Sequence, residues 1–252
     1  MTARTAAAIA SLGVALASAG CLNFYEIPVE TPIQAKIDVT GFQRVLVAGF
    51  LTGGSRNIDP NTETARLLRS QLRTKQDMRV IDADVISLVD EMDKRRGTPS
   101  IMGPTEDAKI KGEADLKAYE EIFNDAEYWK KIGAEYQSPL IVTGSVLFTE
   151  ISKSGMVSRP KTFVDPQGIT RYQEERSYSD LKGYALTPKF VFIDGRTGAV
   201  LYSESFHEES LYPAGNNTPA LSSYFELMDK LLPSFLNTLS TQKIKGSRIL
   251  LK

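Results

Sequence analysis

Two apolar runs, far apart along the chain, set the fold class. Residues 44–50 read Arg-Val-Leu-Val-Ala-Gly-Phe, and residues 140–146 read Leu-Ile-Val-Thr-Gly-Ser-Val. Short runs rich in β-branched residues are typical of buried central strands. Helix signals lie between them, beginning at Asp59-Pro60, where an N-cap residue precedes proline at the first helical position. Alternation of such strands and helices favours a sheet covered by helices.

The second half of the chain carries hairpin signals instead. Asp165-Pro166-Gln167-Gly168 is a strong turn sequence between two extended segments, 157–164 and 169–178. A second turn, 194–198, lies between further extended segments, and a long helix starts at Thr218-Pro219. We therefore predict an α/β fold: a single domain with a mixed β-sheet packed by helices, and a β-hairpin-rich second half.

The amino-terminal residues belong to targeting rather than to the fold. Arg4 supplies a positive start, residues 6–17 are uncharged and apolar, and small residues follow before Cys21. This order of charge, apolar segment and small residues is typical of a secretory signal. We predict a cleaved signal peptide at 1–20, a lipidated tether at 21–40 and a periplasmic α/β domain at 41–252.

Ser18-Ala19-Gly20-Cys21 resembles the lipobox of bacterial lipoproteins. The resemblance implies cleavage between Gly20 and Cys21 and lipidation of Cys21, although Ser18 replaces the usual leucine. Leu22, which is not aspartate, implies sorting to the outer membrane. Several acyl chains would anchor the protein stably, where one binds only marginally. Two alternatives stay open: an uncleaved anchor helix, or cleavage by an ordinary peptidase.

Composition excludes some classes of function. The chain is 42% hydrophobic and 9% aromatic, which predicts a real core, and its formal net charge of −1 comes without a clustered basic face. We therefore expect no nucleic-acid partner. Cys21 is the only cysteine, so no internal disulfide can form.

Three segments together resemble a known periplasmic α/β family. They are Val45–Phe50, the unit Trp129–Gly133 leading to Leu140–Val146, and the hairpin Val191–Gly198. The family includes curli-secretion lipoproteins, lipoprotein activators of penicillin-binding proteins and the amino-terminal domain of TolB. The resemblance implies envelope assembly or trafficking through protein contacts, with no catalytic residue and no cofactor.

Curli-type pores also carry amphipathic hairpins that line a membrane barrel. A lipid-facing strand needs about 9–11 residues with an apolar residue at every second position. The hairpin 157–178 does not offer this, because Arg159, Lys161, Arg171 and Glu175 interrupt its strands. We do not predict a pore.

No catalytic or metal-binding set is evident in the sequence. His207 is the only histidine, no Gly-x-Ser-x-Gly motif is present, and zinc ligands are lacking. Adjacent acids at 120–121, 174–175 and 208–209 would point to opposite faces of a strand. Asp82 and Asp84 follow a predicted strand, where ligands often bind in open α/β sheets, although capping of a helix also explains Asp84.

The sequence therefore predicts a non-enzymatic protein, held on the periplasmic face of the outer membrane, that binds an unidentified envelope protein. Two alternatives are an accessory subunit of a larger secretion assembly and a hydrolase or ligand-binding enzyme using acids such as Asp82. Neither the partner nor the oligomeric state follows from the sequence.

The lipid anchor is tested by Cys21→Ser. We expect this variant to leave the membrane fraction of lysed cells, because it loses the thiol that would carry the lipid. The measurement is fractionation followed by immunoblotting, with Ser18→Leu as a control that restores the usual lipobox. Unchanged membrane association of Cys21→Ser would contradict the prediction.

Overall fold

The computed structural model describes residues 24–54, 57–74, 78–97, 110–216 and 218–251. Gly20 and Cys21 lie outside these ranges, so the cleavage site and the lipid anchor stay predictions. The described residues fall into two compact units, one formed by residues from both ends of the chain and one by residues 36–239.

The larger unit is built on a six-stranded mixed sheet, which confirms the predicted fold class. Strand β2 pairs in parallel with β3 on one side and with the long strand β4 on the other. Strand β5 pairs antiparallel with β4, β6 and β7. The strand bounds are β2 Arg44–Gly54, β3 Arg79–Ile81, β4 Leu140–Val164, β5 Thr170–Asp194, β6 Val200–Ser205 and β7 Glu208–Pro213.

Five α-helices cover the two sides of this sheet within the described residues. Their bounds are α1 Pro60–Arg73, α2 Leu88–Arg96, α3 Glu113–Tyr119, α4 Ala126–Glu135 and α5 Ala220–Leu239, with a 3₁₀ helix at Glu120–Asn124. Helices α1 and α5 pack on one side, and α2, α3 and α4 pack on the other.

Strand alternation explains the two cores. Val45, Val47 and Val142 face α1 and α5, whereas Leu46 and Ile141 face the other helices. The first core is rich in aromatic contacts. Phe235 of α5, for example, lies 4.8 Å from the ring centroid of Phe190. Burial on both faces accounts for the continuous apolar runs in β2 and β4.

The smaller unit contains a two-stranded antiparallel ribbon. Strand β1, Phe24–Ile33, pairs with β8, Gln242–Leu251, in an unbroken register. The segment predicted as a tether thus contains a strand, and this strand pairs with residues near the other end of the chain.

The starts of two predicted helices differ in outcome. Asp59 caps α1 as predicted, because its side chain accepts hydrogen bonds from the Asn61 N–H at 3.1 Å and the Thr62 N–H at 3.4 Å. The helix predicted to begin at Asp84 begins at Leu88, after Ser87. The Ile86 N–H donates to the Ala48 carbonyl at 2.8 Å, which holds the preceding segment extended beside β2.

Strands β4 and β5 are far longer than the sheet they help to build. Both span 25 residues and pair without a register shift from Leu140–Asp194 to Val164–Thr170. Strand β2 accompanies β4 only as far as Phe148, and β7 accompanies β5 only as far as Leu181. We call residues 154–180, the part of this hairpin beyond both neighbours, the arm.

Candidate functional site

The arm is the most exposed ordered feature of the larger unit. Eleven register pairs, from Ser154–Asp180 to Val164–Thr170, form a two-stranded ribbon. At about 3.4 Å per residue this ribbon is about 35 Å long. No residue of the arm is buried, so the arm contributes nothing to either core. An isolated two-stranded hairpin is at best marginally stable in water, which makes an arm of this length notable.

One face of the arm combines large apolar side chains from both strands. Met156 is 67% exposed, Val164 66%, Tyr172 79% and Tyr178 65%. Met156 lies directly opposite Tyr178 in the register, and Val164 lies opposite Thr170. Neither strand alone shows an apolar alternation, so only the pairing brings these side chains together. We call this side, which carries the even-numbered residues, the tyrosine face.

The opposite face of the arm, the charged face, carries the odd-numbered residues and holds Arg159, Lys161, Arg171 and Glu175. Arg159 lies opposite Glu175 in the register, and Lys161 forms an ion pair with Glu175 at 3.2 Å. Phe163 and Val157 lie between these charges on the same face. Exposed ion pairs of this kind are each worth less than about 1 kcal/mol, so they bias the register more than they stabilise the ribbon.

The tip of the arm is ordered by Asp165. Its carboxylate accepts hydrogen bonds from the backbone N–H groups of Gln167 at 3.0 Å and Ile169 at 2.9 Å, and from Arg171 Nε at 2.7 Å. The Arg171 guanidinium and these amides hold the pKa of Asp165 below its usual value. Gly168, with φ of +80°, supplies the left-handed residue of the turn.

A cleft of about 460 Å³ lies at the base of the arm. Glu150, Ser152, Lys182 and Tyr184 line it from the hairpin, and residues 214–216 line it from the turn after β7. Burial raises the pKa of Tyr184, whose ring stacks on Phe148 at 4.9 Å between centroids. The cleft offers one carboxylate and one ammonium group, which suits a polar chain segment.

His207 lies in a surface chain of hydrogen bonds. Its Nδ1 is 2.8 Å from Thr187 Oγ1, its Nε2 is 3.3 Å from Glu209 Oε1, and Lys153 also contacts Glu209. Hydrogen bonds from Lys153 and then His207 lower the pKa of Glu209. Hydroxyl, imidazole and carboxylate follow the order of a catalytic triad. All four side chains are solvent-accessible, however. Their hydrogen bonds link β4, β5 and β7 at the surface of the sheet.

The acids proposed for an active site are not brought together. The Asp82 side chain is 76% exposed and pairs with Arg73 of α1. Glu174 and Glu175 point to opposite faces of β5, as their adjacent positions require. Glu120 lies on the 3₁₀ helix instead of a strand. Among the described residues, no cluster of His, Cys, Asp or Glu could hold a metal ion.

One polar cluster was not evident from the sequence. Glu120 accepts hydrogen bonds from Ser145 Oγ at 3.1 Å and from Lys189 Nζ at 2.7 Å. Ser145 and Lys189 are register partners on β4 and β5, so their side chains share one face of the sheet. The three groups satisfy one another and fasten the 3₁₀ helix to the sheet. Only the folded sheet reveals this pairing.

Packing explains the glycine pair at the end of β2. A Cβ on Gly54 would lie 1.9 Å from the Phe148 carbonyl oxygen, and Gly54 has φ of +95°. A Cβ on Gly53 would lie 2.5 Å from the Ile110 side chain. These glycines let the chain pass close to its neighbours, so a phosphate-binding role is not needed to explain them.

Neither a protein-family profile nor a curated protein sequence matches the chain. In the described part of the chain, no helix is both long enough and apolar enough to cross a membrane.

Three solved structures are similar to parts of the fold. Lipoprotein GNA1162 from Neisseria meningitidis is 15% identical, with a TM-score of 0.33, and the match covers 79% of this chain and 99% of that one. A PelC dodecamer from Paraburkholderia phytofirmans is 14% identical, with a TM-score of 0.36 and coverage of 85% and 99%. The LpoB C-terminal domain from Salmonella enterica is 10% identical, with a TM-score of 0.31 and coverage of 71% and 86%.

One of these neighbours, GNA1162, is described as a lipoprotein. The identities and TM-scores of all three are low, so the similarity assigns neither an activity nor a partner to this chain. The predicted resemblance to TolB stays a prediction.

The tip geometry makes a testable prediction. In Asp165→Ala the amides of Gln167 and Ile169 lose their acceptor, so we expect their hydrogen exchange to accelerate about tenfold while the core amides keep their rates. Hydrogen exchange followed by NMR measures this, with Asp180→Ala in the same arm as the matched control. Equal rates in Asp165→Ala and the unaltered chain would contradict the role of Asp165.

The same carboxylate gives the tip a pH dependence. Its pKa is lowered in the folded chain relative to 3.8. Its contribution is therefore complete above that pH and is lost as the pH falls through the lower, folded value. The tip of Asp165→Ala has already lost this carboxylate, so a fall in pH should not loosen it further.

Proposed function

We propose that this chain is a lipid-anchored periplasmic protein that acts by protein contact in cell-envelope assembly or secretion. Lipidated Cys21 would hold it at the outer membrane, and the arm would make the contact. The observation that carries this proposal is the tyrosine face, where four large apolar side chains are each at least 65% exposed.

Physical chemistry favours a partner for this face. Scattered apolar residues are ordinary on a protein surface, but a contiguous patch is typical of an interaction site. Tyrosine and methionine are also enriched in protein interfaces, where they bury much area with little loss of freedom. Met156 and Tyr178 are register partners and form one apolar area. Tyr172 and Val164 lie diagonally across the hairpin and form a second, and the pairs that contain Glu174 and Arg176 lie between the two areas.

The arm also suits contact because the core does not depend on it. The first core extends along the hairpin to Phe148 and Leu186, and the second extends to Leu147 and Val191, so both end before the first residue of the arm. Substitutions in the arm can therefore change its binding without unfolding the sheet. The cleft at the arm base, with Glu150 and Lys182, gives the same partner a place for a polar segment.

The two alternatives receive less support from the geometry. A hydrolase using Asp82 would need that carboxylate near other polar groups in a cleft, whereas it is exposed and paired with Arg73. An accessory-subunit role remains compatible with an exposed arm, and it differs from the leading proposal only in the size of the assembly.

The experiment is site-specific photo-crosslinking in intact cells. A photoreactive residue at Met156 on the tyrosine face should give an adduct with another envelope protein, whose identity follows from mass spectrometry. Leu221 on α5, which is also exposed, is the matched control and should give little adduct. The adduct at Met156 should fall when Cys21→Ser removes the membrane anchor.

Two outcomes would contradict the proposal. One is equal labelling at Met156 and Leu221, which would show that the arm has no preferred partner. The other is turnover of a substrate by the purified mature chain without any envelope adduct, which would favour the enzyme alternative.

A further inference from the structure

The outer edge of β5 has an open row of backbone hydrogen-bonding groups along the arm. The Pro188 carbonyl accepts from the Phe206 N–H at 2.8 Å, and the Asp180 carbonyl accepts from the Ala214 N–H at 2.8 Å, both on the side away from β4. Alternate residues of a strand direct these groups to the same side. The even-numbered residues from Thr170 to Tyr178 therefore direct their N–H and C=O groups outward, to a side on which no strand of the described residues pairs with them.

The two edges of the arm differ in their protection. Exposed edges usually carry proline or lysine, which oppose pairing with another chain. The β4 edge has Pro160 and Lys161, whereas residues 170–180 of β5 contain neither proline nor lysine. The register of β5 has no bulge in this stretch. The β5 edge thus lacks proline, lysine and a bulge, and its charged side chains, which include Glu174 and Arg176, are of both signs.

The sequence of this edge is complementary to itself. Residues 172–178 read Tyr-Gln-Glu-Glu-Arg-Ser-Tyr. In an antiparallel pairing of two copies centred on Glu175, Glu174 lies opposite Arg176 of the other copy, and Tyr172 lies opposite Tyr178. Each pair occurs twice because the dimer is symmetric, and its side chains lie on the tyrosine face. All four residues direct their backbone N–H and C=O groups outward, so these groups can form the hydrogen bonds between the two copies.

We propose that two copies of this chain pair through the β5 edges of their arms, antiparallel and centred on Glu175, to form a symmetric dimer. The occupant of the open edge is thus a second copy. Within each copy Glu174 lies opposite Pro160 and Arg176 lies opposite Ser158, so neither charge has an opposite charge across its own hairpin. In the dimer, Glu174 of each copy lies opposite Arg176 of the other, so each of these charges gains an opposite charge.

Centres at Glu174, Glu175 and Arg176 all place a like-charge pair at the middle, but only the register centred on Glu175 sets Glu174 opposite Arg176. Shifting the centre to Glu174 places that carboxylate opposite its own copy, and shifting it to Arg176 places two guanidinium groups together. A one-residue slip of the pairing would also bring opposite faces together. In the proposed register Glu175 meets its copy on the charged face, where each is already ion-paired with Lys161 of its own arm.

Pairing would also account for the length of the arm. Two ribbons joined at their β5 edges make a four-stranded sheet, and three or more strands are needed for independent stability. Residues 172–178 stay clear of Ala214, which already occupies the edge at Asp180. The tyrosine faces of both copies would then form one continuous surface.

The test uses the mature chain extracted in detergent, with the mass of the complex measured by sedimentation. We expect a dimer. Glu174→Arg and Arg176→Glu should each weaken it at least about tenfold, because both ion pairs become like-charge pairs. Asp229→Arg on α5 makes the same charge change at an exposed site away from the arm, and it should leave the dimer intact.

Mixing the two variants gives the sharper result. In a complex of one Glu174→Arg chain with one Arg176→Glu chain, every opposed pair again has opposite charges. Differently tagged variants should therefore copurify with each other but not with themselves, and the double charge swap on a single chain should restore the homodimer.

A monomeric unaltered chain, a ring-sized oligomer, or failure of the mixed variants to pair would each overturn the proposal. The outcome is independent of the proposed function, because the measurement uses the purified chain alone and the envelope adduct at Met156 is scored separately in cells.

Discussion

The pairing of β4 with β5 is the interaction on which the rest of this structure depends. Its inner half forms the centre of the sheet, where Val142 and Phe192 are buried register partners. Its outer half leaves the sheet and carries no buried residue. A single ladder thus joins buried register pairs at the centre of the sheet to the exposed arm. Any force applied to the arm is transmitted to the core through one continuous set of backbone hydrogen bonds.

This arrangement separates stability from contact. The buried apolar residues of β2, β4, β5 and the helices supply the hydrophobic free energy. The arm supplies exposed side chains whose identities the core does not constrain. Such a division lets the tyrosine face, the charged face and the β5 edge meet different requirements. It also explains why the arm can keep side chains such as Tyr172 in water without a cost to the core.

The sequence predicted the features that local chemistry determines. The apolar runs in β2 and β4, the cap at Asp59 and the turn at Asp165 were all recognisable from residue types and spacing. The continuity of β4 and β5 was not, because residues such as Ser152 and Lys153 show no core-facing alternation. Their strand conformation comes from cross-strand pairing, which single-strand periodicity does not encode. The pairing of Glu120 with Lys189 depends on tertiary structure in the same way.

Removing the arm tests the central claim, that the arm serves contact and the core stands without it. Residues 154–180 can be replaced by Asn-Gly, a sequence that favours a tight hairpin turn between Lys153 and Leu181. Trp129 is the only tryptophan and is fully buried, so its fluorescence reports core unfolding in urea. The account predicts a change in unfolding free energy of less than about 1 kcal/mol. A loss of about 3 kcal/mol or more, the size of a core truncation, would contradict it.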